Sequence, residues 1–380
     1  MSQINFFVRL FCILTLAFGA SSWSASTIVY AVGTCRPSLR SFRTISRALD
    51  AVPPANILVV CPGTYREQVQ ITHPVTLEGI SHENSARAII ASPVSGLITN
   101  AMDDLGNPLA VQLWVNNASG SVNISDLTVD GTGNQVPTGT FVVGIFYENS
   151  SGTVSRVTTQ NQQSSSFSGI GIFAQGGISN PLVRIENSSV HDYDFDGIVV
   201  ETNSATPTLT AVIKENQVSN PFPLGQIGIN LNEGANVTVT NNLITNTQQG
   251  IGIAVSSSLF GSVSGNTMVN DADGIFAGAD TVSVTSNKIL GSTRGIDMAT
   301  SVAAIQRNTI AGSCPNCGIG ATIGIAFNCS VDRLVQSNIV MDAVTGFDSV
   351  PSLITKLITT RNGYFNVNTI STGFPGCGVQ

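Results

Sequence analysis

Val237-Thr-Val-Thr-Asn-Asn242-Leu-Ile244, followed by Gly250-Ile251, is the first of three tandem copies of one pattern. The second is Val263-Ser-Gly-Asn266-Thr-Met268 with Gly274-Ile275, and the third is Val282-Ser-Val-Thr-Ser-Asn287-Lys-Ile289 with Gly295-Ile296. The Asn-to-Gly step is 8 residues in each copy (250−242, 274−266, 295−287), and the copies lie 24 and then 21 residues apart. A unit this short cannot bury its own apolar face, so a fixed period in this range means coils stacked into a solenoid.

The pattern runs outward in both directions. Asn216 with Gly228-Ile229, Asn187 with Gly197-Ile198, then Gly169-Ile170 and Gly144-Ile145 precede it; Asn308 with Gly324-Ile325 and Asn338 with Gly346-Phe347 follow. The apolar segments alternate with period two, which puts Val282 and Val284 inside and Ser283 and Thr285 outside. Parallel strands one coil apart sit ~4.8 Å from each other. Asn at one place in every coil is therefore expected to form an amide ladder at a bend. Gly at one place marks a backbone that needs positive φ or has no room for a Cβ. A β-sandwich has as many strands, but its loops vary in length, against the constant step seen here. The expected fold is all-β, a right-handed parallel β-helix.

Charged residues make up only 10% of the 380-residue chain, against ~25% in an average globular protein. Small polar residues and abundant Gly suit a solenoid with a turn in every coil. The net charge is −7 and the only lysines are Lys214, Lys288 and Lys356, which excludes a nucleic-acid partner, since phosphate neutralisation needs clustered cations. Residues 1–25 read as a signal peptide: Arg9, an apolar core from Leu10 to Phe18, then Gly19, Ala20, Ser21 and Ser22. That core is shorter than the ~20 residues of a membrane span, and no other stretch is apolar enough for one. A secreted monomer is expected, extracellular or, in a bacterium, periplasmic or on the cell surface.

Residues 26–380 are expected to form one β-helix domain. Residues 41–52 read as a capping helix with Phe42, Ile45, Ala48, Leu49 and Val52 on one stripe and Ser41 as N-cap, ended by Pro53-Pro54. Strands are expected at 27–32 and 57–61. Cys35 and Cys61 follow or end these neighbouring strands, so a disulfide is expected between them in an oxidising compartment. Cys314, Cys317, Cys329 and Cys377 allow three pairings, and a four-Cys zinc site is the alternative. Residues 312–323 read as an insertion in one coil, and residues 350–380 as a C-terminal cap outside the repeat.

Residues 59–79 contain Val59-Val-Cys-Pro-Gly63-Thr-Tyr65-Arg-Glu67 and Pro74-Val-Thr-Leu77-Glu-Gly79. This resembles the opening of pectin methylesterases and other pectin-lyase-like proteins. With the helix before it and the coils after it, the resemblance covers residues 27–350. It implies the parallel β-helix fold but not one activity, because that fold hosts lyases, hydrolases, esterases, epimerases and binding proteins. The catalytic motifs of polygalacturonases, pectin methylesterases and pectate lyases are missing here. His191-Asp192 resembles only faintly the Asp-Pro-His motif of mannuronan epimerases.

Chemistry is densest at His191-Asp192-Tyr193-Asp194-Phe195-Asp196, just before Gly197. In an extended segment Asp192, Asp194 and Asp196 share one side. Three carboxylates there are able to bind a sugar, to supply an acid and a base, or to hold Ca²⁺; otherwise no cofactor is expected. An Asp-rich turn before Gly is also ordinary turn chemistry. Arg156 and Arg184, each 13 residues before a Gly-Ile (169−156, 197−184), are expected to stack on neighbouring coils, either as a solvated outer face, which is the favoured reading, or in contact with a sugar acid. The expected substrate-binding set is His191, Asp192, Asp194, Asp196 and Arg184. Two functions remain open: a non-catalytic protein that binds extracellular polysaccharide or a cell-surface glycan, and a lyase, hydrolase or epimerase on acidic polysaccharide. The missing motifs and scarce lysines favour the first, and a structural spacer is a third reading.

Overall fold

A computed structural model describes residues 27–80, 87–177, 179–202, 208–220, 226–254, 259–279, 281–298, 304–312, 323–328, 333–350 and 357–372. The expected signal peptide at 1–25, residues 313–322 of the expected insertion at 312–323, and Cys314, Cys317, Cys329 and Cys377 lie outside them. The chain winds through three parallel sheets of 14, 12 and 13 strands, each coil giving one strand to each sheet. Registers repeat from coil to coil: Val239 pairs with Val263 and then Val284 in the first sheet, Ile244 with Met268 and Ile289 in the second, and Ile251 with Ile275 and Ile296 in the third. All of these side chains are buried, so the core is a set of apolar columns along the axis.

The bend between first and second sheets holds the Asn ladder. Asn242 donates through Nδ2 and through its backbone N–H to Oδ1 of Asn266, at 2.9 and 3.0 Å, and Asn266 does the same to Asn287, at 3.0 Å each. The ladder runs from Asn216 through Asn308 and Asn338 to Asn362. Each Nδ2 also caps a carbonyl one coil back, as Asn242 does on Ile213, so the buried amides are satisfied. The residue before each rung is left-handed, including Glu215, Asn241, Ser286 and Arg307. Glycine is needed in the third sheet for a different reason. A Cβ on Gly274 would lie 2.4 Å from Ile289 Cγ2 and 2.7 Å from the Gly295 carbonyl; the column lets one coil approach the next.

Three expectations change. The helix is Ile45–Ala51, not 41–52: Thr44 is the N-cap, Glu67 accepts from the Ile45 and Ser46 amides, and Ser41–Phe42 instead pairs with Ala31–Val32. Ile45, Ala48 and Leu49 still face the core. Residues 350–380 do not leave the repeat at 350. Leu357–Thr360, Gly363–Phe365 and Thr369–Thr372 form a further coil, with Asn362 as the next rung. Finally, Gly171-Ile172 occupies the Gly column, not Gly169-Ile170: Ile172 pairs with Ile145 and Ile198. The sequence Gly-Ile-Gly-Ile offers both frames, and only the second puts a glycine against the Gly197 carbonyl.

Cys35 and Cys61 are bonded, with Cα atoms 5.6 Å apart and a sequence separation of 26. Replacing both by Ala is expected to lower the stability of the N-terminal coils by ~3 kcal/mol, the loop-closure value. Non-reducing peptide mapping of the purified protein should recover the linked pair, and two free thiols there would remove this account.

One buried acid gives the fold a pH dependence. Asp271 is fully buried; Oδ1 accepts from the Thr247 amide and hydroxyl, while Oδ2 has no partner. Burial pushes its pKa up to about 8, against ~3.9 in the unfolded chain. The folded protein therefore holds a proton that the unfolded chain releases, and stability from this site is greatest below pH ~4 and declines toward pH 8. Asp271→Asn keeps the acceptor for Thr247 and removes the charge. The variant is expected to be more stable than wild type at pH 8, by a few kcal/mol (~1.4 per pKa unit), and equal to it near pH 4. Denaturant midpoints at the two pH values check this; a constant offset would refute it.

Candidate functional site

The His191–Asp196 stretch is not extended. His191 ends a second-sheet strand, Asp192 is left-handed with φ 57°, and the chain re-enters a strand at Asp196. The three aspartates therefore diverge. Asp192 accepts from His191 Nδ1 at 2.7 Å on a half-buried corner. Asp194 is buried and accepts from the Ser164 and Gly169 amides of the preceding coil. It shapes the turn, and burial raises its pKa against the pull of those two amides. Tyr193 points into the core. Among the described residues, no group of three or more His, Cys, Asp or Glu converges to hold a metal ion.

Asp196 of the set lines a cleft. It lies on the outer face of the third sheet, in register with Ile170 and Ile227. Its Oδ1 accepts from the Ile227 amide at 3.1 Å and its Oδ2 from Asn230 Nδ2 at 2.8 Å. The cleft of about 200 Å³ is floored by Leu109, Phe141, Ile170, Phe173 and Val199, and edged by Asp103, Asn107, Phe195, Glu201, Asn230 and Asn232. Phe141 and Phe195 meet edge to face at 5.5 Å.

Arg184 sits elsewhere. It is on the exposed face of the first sheet, in register with Thr153 and Val212. Arg156 is a left-handed turn residue that holds Asp126 through two bonds, at 2.8 and 2.6 Å. The two arginines do not stack. Their apparent alignment came from counting to Gly169; from Gly171 the offsets are 15 and 13 (171−156, 197−184).

Glu201, four residues past Gly197, is the partner that the sequence did not single out. It ends the same strand as Asp196 and accepts from Asn232 Nδ2 at 2.7 Å. Asn230 and Asn232 are two residues apart on one face, and the carboxyls they hold line one cleft. Burial pushes both pKa values up to about 7. The environments differ: two donors favour the Asp196 anion, whereas Glu201 has one donor and faces Asp104, Asp103 and Glu233. A constant offset of four from the glycine column also places Gln175 beside Glu201 and Glu148 beside Gln175, two strands from Glu201.

A hairpin crosses the sheet beside the cleft. Ala101–Met102 pairs antiparallel with Pro108–Leu109, and Asp103 closes the turn by accepting from the Leu105 and Asn107 amides and from Asn107 Nδ2. Gln175 donates to Asp104 at 3.0 Å and ties the hairpin down. On its other side a larger cleft of about 570 Å³ is lined by Met102, Trp114, Asn116 and Glu148, with Trp114 Nε1 donating to Glu148.

The family model described as "Right handed beta helix region" matches residues 168–349. The chain is a right-handed parallel β-helix protein. It shares its fold with pectin-lyase-like proteins. The A-module of the mannuronan C-5 epimerase AlgE4 of Azotobacter vinelandii superimposes with a TM-score of 0.53 at 16% identity, over 93% of this chain and 98% of that one. The AlgE6 A-module of the same organism gives 0.51 at 15% identity, over 88% and 92%. The GH136 lacto-N-biosidase of Eubacterium ramulus gives 0.52 at 10% identity, over 93% of this chain and 67% of that one. At these identities the likeness is one of fold. No curated protein matches the sequence.

Proposed function

We propose that this β-helix protein is secreted and hydrolyses glycosidic bonds in the cleft on its third sheet. The observation that carries the reading is the carboxyl pair of buried Asp196 and half-buried Glu201, both amide-held and facing one aromatic-floored cleft. Glu201, pushed toward protonation by burial and acidic neighbours, donates its proton to the glycosidic oxygen as the C–O bond breaks. Asp196, whose anion two donors favour against the burial that raises its pKa, takes a proton from the water that attacks the anomeric carbon. Attack by that water on the face opposite the leaving group inverts configuration. The fold's use by glycan-active enzymes such as the lacto-N-biosidase above supports the reading.

Binding without turnover is the second reading. It is favoured by the full occupation of Asp196, whose two oxygens both accept from fixed donors. A glycan panel separates the two. Hydrolysis should yield new reducing ends of inverted configuration, with a bell-shaped pH profile centred near pH 7, where both groups titrate. Retained binding with no new reducing ends would establish the second reading, and unsaturated products would replace both with a lyase.

A further inference from the structure

We infer that the glycan taken by the third-sheet groove is electrically neutral, not a uronate; this rests on the function proposed above and narrows its substrate. The sequence has no Lys, Arg or His between Arg87 and Arg156. That stretch supplies the hairpin and the first two long strands of the groove, Pro108–Asn116 and Phe141–Glu148. The strands that follow, Gly169–Gln175, Asp196–Glu201, Ile227–Leu231, Gln249–Ile253 and Asp273–Ala277, also carry no cationic residue. The first cation in the sheet is Arg294. Its guanidinium is already taken by Asp273 at 2.6 Å and Asp297 at 2.5 Å.

What the groove does present is acid. Asp103, Asp196 and Glu201 line one cleft and Glu148 the other, and neither cleft is lined by any Lys, Arg or His among the described residues. A polyuronate carries a carboxylate on every sugar. Each unit seated here would lose its hydration and meet like charge with no guanidinium or ammonium in exchange. A neutral sugar meets none of this. Its C–H faces fit the apolar floor of Phe173 and Val199, and its hydroxyls can donate to the carboxyls and pair with Asn107, Asn116 and the amides of Asn230 and Asn232. Arg156 and Arg184, the arginines expected to meet a sugar acid, lie on the turn after the first sheet and on that sheet's outer face.

The test uses matched pairs: cello- and manno-oligosaccharides, and the same chains with their primary alcohols oxidised to carboxylates. Calorimetry on the full protein at pH 7 should find the neutral member of a pair bound at least about tenfold more tightly. Residual affinity for the oxidised member should rise with salt, because salt screens repulsion. Glu148→Gln with Glu201→Gln should narrow the gap by strengthening oxidised-chain binding. Preference for the oxidised chain, or an affinity for it that falls with salt, would overturn the inference. The two readings fail separately. If Glu201→Gln leaves cleavage of a bound neutral chain intact, the catalytic assignment falls and the substrate class stands. If Glu201→Gln abolishes cleavage but uronates are preferred, the class falls and the catalytic assignment stands. Binding of neither member of any pair would overturn both.

Discussion

Ile275→Asp should unfold the central coils. Ile275 is fully buried on the third sheet, in register with Ile251 below and Ile296 above, both also fully buried. Removing the side chain alone leaves a cavity costing ~2–5 kcal/mol. An aspartate adds a carboxylate with no partner in an apolar column, and burying it unpaired costs several kcal/mol more whether it ionises or takes up a proton. The sum, ~5 kcal/mol or more, is comparable with the whole stability of an ordinary domain. A solenoid does not have to unfold all at once, since each coil contacts mainly its neighbours. The expected result is therefore early melting by far-UV dichroism, with proteolytic cleavage centred on the coils around 250–300. Ser283→Asp, on the outward face of the alternating strand Val282–Thr285, is the matched control and should shift stability by no more than ~0.5 kcal/mol. A thermal midpoint for Ile275→Asp equal to that of the control would sink the column account of the core.

The columns are also what made the fold legible in sequence. A buried amide ladder demands the same residue at the same place in successive coils, so Asn242, Asn266, Asn287 and Asn308 recur, and the ladder stops at Asn216, where Ser188 rather than the expected Asn187 takes the place one coil back. The glycine column is enforced as strictly, because a Cβ meets the next coil's backbone. Where enforcement is weaker, the reading slipped. Gly169 and Gly171 both precede Ile, and the choice between them depends on a contact with Gly197 that no local pattern states. That slip of two residues misaligned the arginines.

The site was less legible, for a related reason. Density of charge drew attention to His191–Asp196, yet Asp192 and Asp194 are dense because turns use them: one adopts a left-handed φ, the other accepts two backbone amides of the coil before. Glu201 stands alone in its sequence neighbourhood, and its partners Asn232 and Asp103 come from the next coil and from a hairpin some hundred residues earlier. In a solenoid, function assembles across coils, at constant offset from the structural columns rather than in runs. Reading four residues past each glycine, at 148, 175 and 201, would have found it.

Glu201→Gln is expected to abolish turnover while sparing the fold and the binding of substrate. The glutamine keeps the size of the side chain and an oxygen for the Asn232 amide at its present 2.7 Å contact, so the strand Asp196–Glu201 should stay in register. What it loses is the transferable proton. General acid catalysis contributes ~10²–10⁴ in rate, so kcat on a glycoside with a poor leaving group should drop about a thousandfold, with KM changed little. A substrate whose leaving group needs no proton, such as a nitrophenyl glycoside, should lose far less. The alkaline limb of the pH profile should vanish, because that limb reports loss of the proton that Glu201 holds up to about pH 7. Asp196→Asn should instead remove the acidic limb and slow both substrates equally, since the base acts on water and is indifferent to the leaving group. Asp194→Asn supplies the contrast: it touches only the Ser164 and Gly169 amides of the turn, so it should alter stability and leave kcat intact. If Glu201→Gln slowed the activated and unactivated glycosides by the same factor, its role would be to shape the cleft rather than to donate a proton. The acid would then have to be sought among the other carboxyls of the groove, first at Glu148.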